Sequence, residues 1–114
     1  VMTSGPETPR RCATPFFFAH LAAAMEYEAT MFFTIDGILL LKKGLAEDVL
    51  PKEGGRPVAG FMQDAQEAGV KFVACTAAME LHDLTEDELI DGVQMGGGAA
   101  MWQLAENSET VLTF

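Results

Sequence analysis

Short apolar runs alternate along the chain with segments whose apolar residues recur every three or four positions. The runs are rich in β-branched and aromatic residues, which predicts strands at residues 1–3, 29–34, 70–75, 92–95 and 110–114. The periodic segments predict helices at residues 15–25, 37–43, 58–68, 76–81, 85–91 and 99–106. This alternation predicts a three-layer α/β domain with a mainly parallel five-stranded sheet and helices on both faces. Right-handed crossovers favour the flavodoxin-like strand order 2-1-3-4-5.

Several helix starts carry recognisable signals. Thr14 and Pro15 stand in the order typical of an N-cap and a first helical residue. Asp36 is placed to cap the helix after the second strand, and Thr85 with Glu88 fits a capping box. We expect residues 1–114 to form one domain. Because the chain opens with apolar Val1, already in a strand pattern, we expect the first strand to be cut short at its start.

Cys75 ends the third predicted strand and directly precedes a helix. The carboxyl ends of parallel strands form the edge where α/β proteins place their chemistry. Amides at a helix N-terminus favour a thiolate over a thiol, so this position suits a nucleophilic cysteine. The alternative is that Cys75 is a small apolar core residue, since cysteine is among the most often buried residue types.

The predicted strand order brings a second cysteine toward the first. The loops after strands one and three flank the switch point of such a sheet, and these loops carry Cys12 and Cys75. Arg10 and Arg11 adjoin Cys12 and would stabilise a nearby thiolate. Cys12 is therefore a candidate second thiol, with burial beneath the sheet edge as the alternative.

Backbone amides complete the predicted site. Thr76 opens the helix after Cys75, and Gly96 and Gly97 begin a run of three glycines after the fourth strand. This run lacks both the third glycine of a dinucleotide fingerprint and the Gly-Lys of a phosphate loop. We expect it to be a turn where the backbone approaches the site. Thr76, Gly96, Gly97 and, from the first loop, Gly5 are the predicted lining residues.

The distribution of charge and apolar residues limits the partners. The net charge is −10, all seven Lys and Arg lie at or before Lys71, and residues 76–114 hold eight acids. This balance disfavours nucleic acid as a partner. The longest nearly apolar stretch, residues 13–25, is interrupted by Pro15 and His20, so neither a membrane anchor nor a signal peptide is expected. Two cysteines in such a chain indicate a reducing cytoplasm rather than a secreted disulfide scaffold.

Other reactive side chains fit known sites less well. Ser4 and Ser108 lie outside nucleophile-elbow motifs. Two cysteines and two histidines at these spacings match no zinc signature, and we expect neither a metal nor an organic cofactor. His20 is expected to be a satisfied structural histidine in an apolar helix, and His82 a solvated loop residue.

The number of bulky apolar residues predicts self-association. Phe16, Phe18, Met62 and Trp102 cannot all face one thin core. We therefore expect a homo-oligomer with some of these residues at its contact.

Several short segments follow one another in a characteristic order. They are CATPFFFA at residues 12–19, FFTIDG at 32–37 with LKKG at 41–44, AGVKFVAC at 68–75 and VLTF at 111–114. Together they resemble the DsrE/DsrF-like sulfur-transfer proteins over essentially the whole chain. No single segment is very specific, but their order and spacing are.

The resemblance implies a compact α/β fold, assembly as a homotrimer or hexamer, and a persulfide carried on Cys75. It also implies exchange of sulfane sulfur with small carriers such as TusA-like proteins. Some relatives lack the cysteine and act as non-catalytic subunits, so its presence here favours activity. Cys12 is not part of the family pattern. Two alternatives stay open: a binding subunit whose shallow pocket holds a small anion, and a thiol redox sensor that uses Cys12 and Cys75.

Overall fold

A three-stranded parallel sheet organises the protein, whose computed structural model describes residues 1–114. Its strands are β1 (Thr30–Phe33), β2 (Lys71–Cys75) and β3 (Val93–Gly96), in the order β1-β2-β3. Phe33 pairs with Ala74, and Cys75 pairs with Gly96. The prediction of a mainly parallel sheet is confirmed, but the prediction of five strands is wrong. Three strands form, with β2 in the middle.

The two ends of the chain add single pairings rather than strands. Met2 forms an isolated parallel bridge with Phe33, on the side of β1 away from β2. Phe114 accepts a hydrogen bond from Thr3 N at 2.7 Å and donates one to Val1 O at 2.8 Å. The flavodoxin-like order is therefore wrong, since it would insert the first segment between β1 and β2. From the first segment through β3 the chain instead pairs in sequence order, as neighbouring elements commonly do, and the last segment lies beside the first.

Four α-helices connect and flank the strands: α1 (Thr14–Ala24), α2 (Val58–Glu67), α3 (Thr76–Leu81) and α4 (Gly98–Glu106). Short 3-10 helices cover Pro9–Arg11, Ile35–Leu41, Ala46–Asp48 and Glu86–Glu88. The segment predicted as a helix at 37–43 is one of these. The capping box of Thr85 and Glu88 is confirmed, although it opens a single 3-10 turn. None of the helices has the length and apolar composition needed to cross a bilayer.

Aromatic side chains hold the centre of the core. The rings of Phe33 on β1 and Phe72 on β2 lie 5.0 Å apart, and the ring of Phe16 on α1 lies 5.8 Å from each of them. All three side chains are fully buried. Burying one such side chain contributes about 3 kcal/mol, so these contacts anchor α1 to the two strands beside the candidate site.

The three- and four-residue spacing of Phe17, Leu21, Ala24 and Met25 predicts that these residues form the apolar face of α1, but all four are exposed. Phe16 is buried instead, and Ala19 and Ala23 pack against the core. The helix is apolar nearly all round, and α2 packs against it. Periodicity alone does not say which side of such a helix meets the sheet.

Candidate functional site

Cys75 stands at the carboxyl end of the middle strand. It is the last residue of β2 and the N-cap residue of α3, with an extended backbone at φ −72° and ψ 121°. The thiol is free, and the residue is 7% exposed. Because a parallel sheet gathers its carboxyl ends at one edge, this position brings the ends of β1 and β3 to either side of Cys75.

The glycine turn after β3 lies directly beside Cys75. Gly96 is the register partner of Cys75, and a Cβ at Gly96 would stand 2.9 Å from Val73 Cγ1 and 3.0 Å from Ala100 Cβ. A side chain does not fit there without displacing these neighbours. A Cβ at Gly97 would lie 3.5 Å from Thr76 Oγ1. The structure thus brings Thr76, Gly96 and Gly97 together with Cys75.

Gly5 and Cys12 occupy a neighbouring place along the same edge. Gly5 is buried against the backbone of Asp36, where a Cβ would overlap the Asp36 carbonyl group. The Cys12 thiol is fully buried and donates toward Gly5 O at 3.2 Å and Thr8 O at 3.4 Å. Burial raises the pKa of the Cys12 thiol above its ordinary value. In this position the thiol ties the loop at residues 5–12 together.

The strand order also separates the two thiols. The segment before Gly5 pairs with β1, and β1 lies between that segment and β2, which carries Cys75. Adjacent strands are about 4.8 Å apart, so one full strand intervenes where the predicted order had none. Both cysteines are free. The two loops that carry Cys12 and Cys75 therefore do not follow adjacent strands, as the prediction of a cysteine pair requires.

A contact of His82 was missed by sequence reasoning. Its Nε2 lies 3.1 Å from Ile35 O and 3.2 Å from Asp36 Oδ1, and its side chain is 21% exposed. The residue lies in the turn after α3 as expected, but its ring is only partly exposed and has partners that the expectation of a solvated residue left out. No sequence signal marks the pairing, since 47 positions separate the partners of the hydrogen bond. The prediction for His20 also fails in part, because its buried Nδ1 has no hydrogen-bond partner.

Two clefts of the surface are well defined, and neither is lined by Cys75. One of about 310 Å³ is polar and lies over the first loop, lined by Thr3, Ser4, Gly5, Glu7, Thr8, Arg11 and Asp36. Another of about 250 Å³ lies between α2 and the Lys42–Glu47 region. No group of three or more His, Cys, Asp or Glu side chains is arranged to hold a metal ion. Cys75 lines neither of these two clefts.

Comparison with known proteins gives a consistent result. The profile of the DsrE/DsrF-like family matches residues 1–114. The sulfur carrier protein DsrE2 of Allochromatium vinosum is 29% identical, over 86% of this chain and 86% of its own. Protein YrkE of Bacillus subtilis is 28% identical over 85% and 84% of the two chains. The crystal structure of the ychN protein from E. coli superimposes with a TM-score of 0.72 over 99% of this chain, at 21% identity, which shows likeness of fold.

Proposed function

This chain belongs to the DsrE/DsrF-like family, and we propose that it is a sulfur carrier that holds sulfane sulfur as a persulfide on Cys75. The observation that carries the proposal is the place of Cys75. It ends the middle strand and caps a helix, with the Gly96–Gly97 turn as its neighbour. A relative that aligns over most of the chain is itself named a sulfur carrier.

The surroundings of Cys75 suit a persulfide. The first turn of α3 carries no acidic side chain, so its backbone N–H groups are available to a negatively charged sulfur. Thr76 and Gly97 are partly or fully exposed at the same edge. A persulfide also places its outer sulfur about 2 Å beyond Sγ, which brings the reactive atom of the nearly buried cysteine closer to solvent.

The chemistry is thiol exchange in two steps. In the first, the Cys75 thiolate attacks the outer sulfur of a donor persulfide. The Sγ–S bond forms, the donor S–S bond breaks, and the donor thiolate leaves with the electron pair. In the second, a thiolate of the acceptor attacks the outer sulfur on Cys75, and the Cys75 thiolate is the leaving group. The steps balance without an external oxidant or reductant, and the proposal assigns no metal or organic cofactor to them.

The proposed partners follow from this chemistry. A small carrier protein of the TusA-like type brings or takes the sulfur in a cytoplasmic relay, since both exchange steps need the thiol of a second molecule at the rim of the sheet. We further propose that the chain assembles with itself as a homotrimer or hexamer. The exposed side chains of Phe17, Phe18 and Trp102 provide apolar surface for such contacts.

The proposal is tested by loading the protein with glutathione persulfide and measuring its intact mass. Wild-type protein should gain the mass of one sulfur atom, Cys12→Ser should gain the same, and Cys75→Ser should gain none. Circular dichroism of Cys75→Ser checks that the fold is kept, since a buried hydroxyl in place of the thiol costs about 1–3 kcal/mol.

Each other result points to a different function. Full loading of Cys75→Ser would remove Cys75 as the carrier. No loading of the folded wild type would favour the non-catalytic binding subunit. A Cys12–Cys75 disulfide, detected by peptide mass spectrometry after mild oxidation, would favour the redox sensor.

A further inference from the structure

His82 connects the far end of α3 to the segment that follows β1. It comes directly after Leu81, the last residue of α3, and its ring nitrogen Nε2 is shared between Ile35 O and Asp36 Oδ1, at 3.1 Å and 3.2 Å. The contact is open to water, since the His82 side chain is 21% exposed and that of Asp36 is 52% exposed. It attaches the far end of α3 to the edge that carries Cys75. The first residue of α3 follows Cys75 in the chain, and His82, directly after its last residue, hydrogen-bonds to the segment after β1.

The backbone that His82 holds is strained. Ile35 has a φ of 53°, in the left-handed region that β-branched residues avoid. Such conformations persist where the surrounding contacts enforce them. The carbonyl group of Ile35 is the one that accepts the hydrogen bond from His82. This hydrogen bond therefore helps to hold Ile35 in its left-handed conformation.

This strained segment lies next to the thiol. Phe33 is the register partner of Ala74, so the residue after Phe33 comes alongside Cys75, and Ile35 follows it. The Ile35–Leu41 helix packs against both α3 and β2. Cys75 is 7% exposed, although it ends its strand at the rim of the sheet. The segment after β1 therefore adjoins Cys75 at this rim.

We infer that His82 is a positioning residue that latches the Ile35–Asp36 segment beside Cys75 and thereby limits access to the thiol. A partner thiol has to displace this segment, or wait for it to open, before it reaches the sulfur on Cys75. The inference deepens the proposed function and rests on Cys75 as the reactive thiol. The latch itself is a property of the fold, and it is measured without any transfer of sulfur.

The test is the rate at which iodoacetamide alkylates each cysteine, resolved by peptide mass spectrometry. Circular dichroism is the control for the fold, because Cys12 hydrogen-bonds to Gly5, which packs against Asp36, and is therefore not independent of this segment. His82→Ala should raise the alkylation rate of Cys75 about tenfold, equivalent to about 1.4 kcal/mol, and leave the circular dichroism spectrum unchanged. His82→Gln, whose side-chain amide can donate to the same carbonyl group, should restore a rate near that of the wild type.

The outcomes separate a latch from a general structural role. An unchanged Cys75 rate in His82→Ala would overturn the inference, and so would a rise accompanied by a changed circular dichroism spectrum, which reports loss of the fold. A His82→Gln protein as reactive as His82→Ala would also overturn it. Asp36→Ala removes the second acceptor of His82 and leaves the Ile35 carbonyl contact in place. It should therefore raise the Cys75 rate by less than His82→Ala does, and an unchanged rate in this variant would overturn the inference if His82→Ala does not fold. Because the reagent is neutral and no persulfide is used, a protein that fails to load sulfur still gives a clear answer on the latch.

Discussion

Replacing Phe17 and Leu21 together by serine should break the self-association that we propose. The two residues stand four positions apart on α1 and lie on its outward side, while Phe16 fixes the opposite side in the core. Residues Thr14–Ala24 carry no acidic or basic side chain other than His20. In a protein with a net charge of −10, this uncharged surface is the part that a second copy can approach without strong repulsion.

The magnitude follows from the exposed fractions, which are 49% for Phe17 and 42% for Leu21. Half of the roughly 200 Å² that a phenylalanine buries, at about 25 cal/mol per Å², gives about 2.5 kcal/mol for Phe17. The exposed fraction of Leu21, applied to about 2.5 kcal/mol for full burial, gives about 1 kcal/mol. The sum of about 3.5 kcal/mol is an upper value and corresponds to a factor of about 300 in the dissociation constant of one contact.

Sedimentation equilibrium over a concentration series measures this effect. Leu50→Ser is the matched control, because Leu50 is 41% exposed but lies in the loop before α2. Wild type and Leu50→Ser should sediment as the same oligomer, while the double variant sediments as a single chain with an unchanged circular dichroism spectrum. A single-chain mass for the wild type at micromolar concentration would refute the reasoning. So would a double variant that dissociates no more readily than Leu50→Ser.

Two further predictions concern stability, measured by urea denaturation. Gly37→Ala should lower the free energy of unfolding by about 1–3 kcal/mol, since the new Cβ would overlap the carbonyl oxygen of Met2. Gly98→Ala is the control and should not lower it, because Gly98 lies in α4 with open space around it. Equal losses in both variants would contradict this account. For Cys12, whose pKa is raised by burial, the contribution to stability is full below the unfolded-state pKa of about 8.5 and is lost as the pH rises through the folded-state value. Between neutral and alkaline pH, the free energy of unfolding of Cys12→Ala should therefore fall by less than that of the wild type. An equal fall in the two proteins would show that the buried thiol makes no such contribution.

Local patterns in the sequence predicted the elements around Cys75 well. The strand that ends at Cys75 and the helix after it are both present, and the capping box at Thr85 forms as predicted. These features depend on residues within one turn or one strand, so propensity and spacing are sufficient to find them. The closeness of Gly96 to Cys75 needed only the further assumption that consecutive strands pair in parallel.

Features that depend on distant pairing were not predictable in the same way. The strand order failed because nothing in the Met2 or Phe114 segments indicates which neighbour they pair with. Neither segment forms a regular strand, and they pair with β1 and with each other through a few backbone hydrogen bonds. The exposed side of α1 was assigned wrongly because an almost uniformly apolar helix has no polar face to mark solvent. The His82 contact joins two loops through one ring nitrogen, and its partners have no common sequence pattern.

The two cysteines show how the place of a residue in the sheet decides what its thiol can do. The fully buried Cys12 thiol has its proton held toward two carbonyl oxygens of its own loop, and burial raises the pKa of this thiol, so it is a poor nucleophile in the folded protein. Cys75 makes no such hydrogen bond and ends the middle strand beside the Gly96–Gly97 turn. Its remaining cover comes from neighbouring segments, and one of them is held by a single histidine contact. A thiol in this position is protected while the segment is latched and becomes available when the segment moves, which is the combination that a carrier of reactive sulfur requires.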